Sequence, residues 1–261
     1  MQIRAPLAVT FVVLAACGGD RGAARPEEGR PAGDTVAAAP AAPAGPQAIV
    51  TVLYNTPKDP AAFEKYYAET HGPIVVDGQA AIGFTKTEYT KFVSDLDGTA
   101  PKYYRQAELY FDSMDRAKAG MATPEFKKVS DDLANFASGG LVALIATETG
   151  DRGAGDCPAL ATVLYQAPTD TAAFERYYAE THLPIVANGQ REIGFTRADF
   201  TKFESNADGS TPPALYRQAE LCFPSIDALK AGLATPAFMA VGHDLPNFAT
   251  GGLVGLIGEQ R

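Results

Sequence analysis

Only three histidines occur in the 261 residues, and two of them, His71 and His182, close the same hexapeptide, Tyr-Tyr-Ala-Glu-Thr-His. A neutral imidazole accepts or donates a proton near pH 7, which suits general acid or base work on an enolisable or phenolic ligand. The competing reading makes each histidine a cap at a helix C-terminus, favoured by the helix dipole. A second repeated segment, Tyr104-Arg105-Gln106-Ala107-Glu108-Leu109 against Tyr216-Arg217-Gln218-Ala219-Glu220-Leu221, brings a carboxylate. Read as a strand, it sorts Ala107, Leu109 and Phe111 onto an apolar face and Tyr104, Gln106, Glu108 and Tyr110 onto the other. If that second face lines a pocket, Glu108 and Glu220 are general acid or base candidates, or orient a histidine. Alternatively they are solvated, or structurally paired with Arg105 or Arg217 of a neighbouring strand. Tyr54, Tyr67, Gln106 and Tyr110, with Tyr165, Tyr178, Gln218 and Cys222 in the second copy, are the candidate ligand contacts, since aromatic walls with few polar handles make a small-molecule site.

Other chemistries lack their residues. There is no CxxC pair and no HExxH, so no metal site is indicated. No glycine-rich fingerprint follows a strand and opens a helix, and no nucleotide or other cofactor is expected. A net charge of -9 argues against nucleic acid and against electrostatic attraction to anionic lipid.

The elements that must position these residues come twice. Leu53 to Phe92 and Leu164 to Phe203 align without a gap at an offset of 111, with 26 of 40 positions identical. Asn135-Phe136-Ala137 matches Asn247-Phe248-Ala249 further on. A repeat of this length means paired domains. In each, a β-branched run (Ala48 to Tyr54) reads as a strand, and Asp59-Pro60 starts a helix that Gly72-Pro73 is expected to stop. Strands are expected at Ile82 to Phe92, Tyr104 to Phe111 and Gly140 to Thr147, and helices near Asp115 to Met121 and from Thr123-Pro124. The order β-α-β-β-α-β is a ferredoxin-like unit in an α+β fold. Its sheet is bare on one face, so two copies in one chain are expected to cover each other as an intrachain barrel, a monomer with an internal pseudo-dimer.

Phe63-Glu64-Lys65-Tyr66-Tyr67, His71-x-Pro73-Ile74-Val75, Ile82-Gly83-Phe84 and Glu108-Leu109-Tyr110-Phe111 together resemble the EthD domain. The second copy carries Phe174-Glu175-Arg176-Tyr177-Tyr178, His182-Leu183-Pro184-Ile185-Val186 and Glu220-Leu221-Cys222-Phe223. The resemblance spans about 48 to 147 and 159 to 258. It implies the dimeric α/β barrel superfamily, with a small cavity between the two sheets, and relatives that include cofactor-independent monooxygenases and isomerases. The implied activity is a cofactor-independent oxidoreductase or isomerase acting on a small aromatic or apolar metabolite. The rival is a non-catalytic ligand-binding or stress-response lipoprotein, and haem held by a histidine is a third idea. Fold transfers through such a resemblance better than function.

The first 17 residues read as an export leader: Arg4, an apolar stretch from Ala5 to Val13, then Leu14-Ala15-Ala16-Cys17. This looks like a bacterial lipobox that would lipidate Cys17 and hold the protein at the cell envelope, the lipid being its only membrane attachment; a plain secretory signal is the alternative. Residues 18–47, rich in Ala, Pro and Gly, read as a tether. Domains are expected at 48–149 and 159–261, joined by a linker at 150–158. Cys157 and Cys222 are expected as free thiols, because strands one and three, taken as parallel, would hold them too far apart for a bridge.

Overall fold

The computed structural model describes residues 47–149 and 156–260. The leader with Cys17, the tether up to residue 46 and linker residues 150–155 lie outside the described residues. Each repeat supplies four strands and four helices. In the first, β1 is Ala48–Tyr54, α1 Pro60–Tyr66, α2 Gly72–Ile82, β2 Lys86–Asp95, β3 Arg105–Phe111, α3 Met114–Met121, α4 Pro124–Asp132 and β4 Leu141–Glu148. In the second, β5 is Ala159–Tyr165, α5 Thr171–Tyr177, α6 Leu183–Ile193, β6 Arg197–Asn206, β7 Arg217–Phe223, α7 Ile226–Leu233, α8 Pro236–Asp244 and β8 Leu253–Gln260.

The strands form one closed barrel in the order β1-β3-β2-β8-β5-β7-β6-β4. Each repeat is a four-stranded sheet, and the pairs β2–β8 and β4–β6 close it onto the other repeat, so no edge is left to template aggregation. This is the dimeric α/β barrel architecture within a single chain. Alternation along the strands divides the apolar residues between two layers. Ile49, Leu53, Tyr110 and Leu144 point into the barrel with Leu164, Phe203 and Leu256. Val50, Leu109 and Phe111 point outward onto the helices.

Local signals start the helices where the sequence indicates. Asp59 accepts the Ala62 N–H at 3.0 Å, and Thr123 Oγ1 accepts that of Phe126 at 3.2 Å. The strand expected from Ile82 begins only at Lys86. Ile82 ends α2, and Gly83 takes the left-handed cap at φ 83° that a residue with a Cβ adopts only under strain.

Gly72-Pro73 does not stop the helix. Between α1 and α2 lies a π turn, Tyr67–His71, in which the Gly72 N–H reaches back five residues to the Tyr67 carbonyl. Proline at the start of α2 has no N–H to offer and its ring needs room, and the wider turn accommodates both while the backbone stays helical. The second repeat does the same at Tyr178–His182 before Pro184. His71 and His182 therefore stand inside continuous helices, and the helix-cap reading fails for both.

The expectation for the cysteines is overturned. β5 and β7 are antiparallel neighbours, with Leu160 opposite Cys222, so Cys157 just ahead of β5 arrives beside Cys222. The two form a disulfide with Cα atoms 5.0 Å apart. The error lay in strand direction: with strands one and three parallel, the chain ahead of one would lie far from the end of the other, whereas antiparallel pairing brings these ends together.

Candidate functional site: two histidine cavities outside the barrel

Each repeat holds a small, strongly apolar cavity between the outer face of its sheet and its own helices. The first, about 100 Å³, is lined by His71 with Tyr54, Tyr67, Val75, Tyr89 and Val129. The second, about 170 Å³, is lined by His182 with Tyr165, Tyr178, Val186, Phe200 and Val241. Tyr54 and Tyr165 arrive at the ends of β1 and β5, where alternation turns them outward. Tyr67 and His71 are the two ends of one π turn. Tyr54 meets the Tyr67 ring edge-on at a centroid distance of 5.9 Å, and His71 lies 4.6 Å from Phe136.

The histidine is held by a carboxylate that sequence reasoning missed. His71 Nδ1 is 2.9 Å from Asp132 Oδ2, and Asp132 Oδ1 also accepts from the Tyr66 hydroxyl at 2.8 Å and the Asn135 amide at 2.9 Å. The second repeat matches it: His182 Nδ1 to Asp244 at 2.8 Å, with Tyr177 at 2.7 Å and Asn247 at 3.1 Å. Among the described residues no hydrogen bond reaches either Nε2. The signal was available: Asp132-Leu133-x-Asn135-Phe136 and Asp244-Leu245-x-Asn247-Phe248 occupy equivalent places in the two repeats.

The electrostatics favour a neutral ring. Burial lowers the pKa of both histidines, and although the aspartate raises it, burial prevails. Each aspartate is itself taxed by burial yet ends below the usual carboxylate range, because the hydrogen bonds it accepts outweigh that effect. A neutral imidazole whose Nδ1–H points at a carboxylate presents an Nε2 lone pair, which is the arrangement of an oriented general base. Burial also drives the Tyr67 and Tyr178 phenols upward, so both are neutral donors. The Tyr178 hydroxyl is buried and makes no hydrogen bond among the described residues. Arg105 and Arg217 stack on the Tyr67 and Tyr178 rings at 4.5 and 4.7 Å and pair with Glu64 and Glu175 at 2.6 and 2.7 Å, not with Glu108 or Glu220.

The remaining candidates lie elsewhere, because the polar face of β3 and β7 points into the barrel and the histidines do not. Gln106 Nε2 donates to Glu220 at 2.9 Å and Gln218 Nε2 to Glu108 at 3.0 Å, a reciprocal pair across the pseudo-twofold. Tyr110 donates to Glu108 at 2.9 Å, and Cys222, in the equivalent position of the other repeat, is in the disulfide. Glu108 and Glu220 therefore do not orient the histidines. Tyr104, expected on this face, packs instead against Phe63 at 5.3 Å on the helix side, since it precedes the strand and escapes its alternation.

A closed eight-stranded barrel made of two βαββαβ units defines the class. The EthD domain model matches residues 55–140 and 166–252, and the chain belongs to the EthD family. An uncharacterized 11.0 kDa protein from the thcB–thcC intergenic region of Rhodococcus erythropolis is 39% identical over 99 residues, covering 38% of this chain and 92% of that protein. The crystal structure of an EthD family protein from Bacillus halodurans matches at 28% identity over 38% of this chain and 95% of its own, with TM-score 0.35. An anthrone oxidase-like protein aligns over 83% of this chain and 92% of its own at 14% identity and TM-score 0.54, a likeness of fold.

Proposed function

We propose that each repeat binds a small aromatic or apolar molecule in its helix–sheet cavity and that the His–Asp pair moves a proton on it. The observation that carries this is a neutral histidine, oriented by a buried carboxylate, at the wall of an otherwise apolar cavity. Nε2 would take a proton from an acidic C–H or a phenolic O–H and return it to another atom of the same molecule, an isomerisation; oxidation without a bound cofactor would begin with the same removal and needs dioxygen to take the electrons. A site at the envelope, through lipid on Cys17, belongs to this reading and is checked by mass spectrometry of the mature N-terminus.

The test is a thermal-shift screen of quinones, phenols, lactones and haem against the wild type and a His71→Ala/His182→Ala variant. A ligand at 100 times its Kd stabilises the fold by about 2.7 kcal/mol. Compounds whose shift vanishes in the variant support the histidine cavities and are then followed for deuterium incorporation. Binding lost with no exchange at all would leave a ligand-binding protein. Shifts that survive the double substitution refute the site.

A further inference from the structure

The two cavities have matching walls but different doors. Each is overhung by the turn that follows the second strand of the other repeat. After β2, Leu96 donates its N–H to the Gly255 carbonyl at 2.9 Å; after β6, Ala207 does the same to Ala143 at 2.8 Å. The side chains break this symmetry. Leu96 packs into the apolar cluster of the second repeat and lines the His182 cavity. Its seat exists because position 255 is glycine: a Cβ there would lie 2.3 Å from Leu96 Cδ1. At the equivalent place in the first repeat a short Ala207 faces Ala143, so the knob is missing and the hole is half filled.

What lies outside that missing knob is a groove of about 1100 Å³ between α3, α4 and the β4–β6 wall. Phe126, Ser130 and Ala207 line both this groove and the His71 cavity, so the two spaces adjoin. Met114, Met121 and Ile145 give the groove apolar walls, and Lys118 and Glu204 stand among its other lining residues. The cavity under Leu96 is the larger of the two, about 170 against about 100 Å³, so what sets the repeats apart is the adjoining groove and the residue between, not volume.

Resting on the reading of these cavities as ligand sites, we infer that only the first repeat exchanges ligand with solvent, through the gap beside Ala207. Its ligand is an aromatic or apolar molecule longer than the cavity, with one end at His71 and the other in the groove. Leu96 over Gly255 keeps the second cavity shut. Ala207 and Ala143 are thereby the residues that determine how long a ligand the first cavity accepts.

The three histidines let each cavity be read separately, with the exposed His243 as reference. Imidazole ¹H–¹³C spectra of the full chain are recorded during titration with 2-naphthol. The expected result is a saturable shift at His71 and none at His182. Plugging the first door with Ala143→Gly/Ala207→Leu abolishes the His71 shift, and Leu96→Ala, made separately, lets His182 respond. Equal shifts at both histidines in the wild type, or a His71 response untouched by the plug, overturn this inference alone. Silence at both histidines in every variant overturns the cavities as ligand sites, and this inference with them.

Discussion

The inside of the barrel and the layer between sheet and helices are built from alternate residues of the same strands, yet they do opposite things. Inside, polar groups answer one another across the pseudo-twofold, Gln106 with Glu220 and Gln218 with Glu108, and Thr162 adds a bond to Glu220 within the second repeat. The two glutamine amide nitrogens join the repeats through these bonds, while the amide oxygens of Gln106 and Gln218 are buried without a partner among the described residues. Outside, each repeat keeps an apolar space with one oriented, neutral base whose second nitrogen has no partner among the described residues. The difference teaches that burial alone does not bring a carboxylate to a histidine. What distinguishes Asp132 from Glu108 is its partner, a histidine that faces a cavity.

The comparison can be broken most severely at the disulfide. Cys222→Ala opens a cross-link spanning 65 residues and should lower stability by about 4 kcal/mol, read by chemical denaturation, while leaving the ligand response at His71 intact. Next is Glu220→Ala, which strands Gln106 and Thr162 inside the barrel and should lower stability by about 3 kcal/mol, again with ligand response at His71 retained. Loss of the His71 response in either variant would erase the division between the two regions.

Acid should act on the outer layer first. Both histidines lie below the free imidazole value in the fold, so near pH 6 the unfolded chain binds more protons. Their contribution is complete above about pH 6.5 and declines as pH falls through the folded values; the depressed aspartates extend the loss below about pH 4. Denaturation midpoints measured from pH 8 to pH 4 should fall accordingly. Asp132→Asn removes the partner that raises the His71 pKa, so its NMR titration midpoint should drop while that of His182 stays in place. The smallest effect is that of Tyr66→Phe, a slight fall in the denaturation midpoint, because Asp132 keeps its bonds to His71 and Asn135.

Much of the scaffold was legible in the residues. Strand β1 falls where the β-branched run lies, Thr123 caps α4 as its type suggests, and the repeat requires two equivalent units. The helix through Gly72-Pro73 was not legible, since proline normally ends a helix and only the π turn rescues it. The pairing of His71 with Asp132 was hidden by a sequence separation of 61, although both recur in the second repeat.

The sequence by itself determined the duplication, the α+β order of elements and the residues able to carry chemistry, because these follow from local spacing and side-chain type. Tertiary structure alone decided which of them meet. Strand direction joined Cys157 to Cys222 instead of separating them. The sense in which β3 faces the barrel put Glu108 with Gln218 rather than with a histidine. The closure of β2 on β8 and β4 on β6 set Leu96 over one cavity and Ala207 over the other. Each is a long-range pairing, and a one-residue change in facing, which no local preference specifies, reverses its outcome.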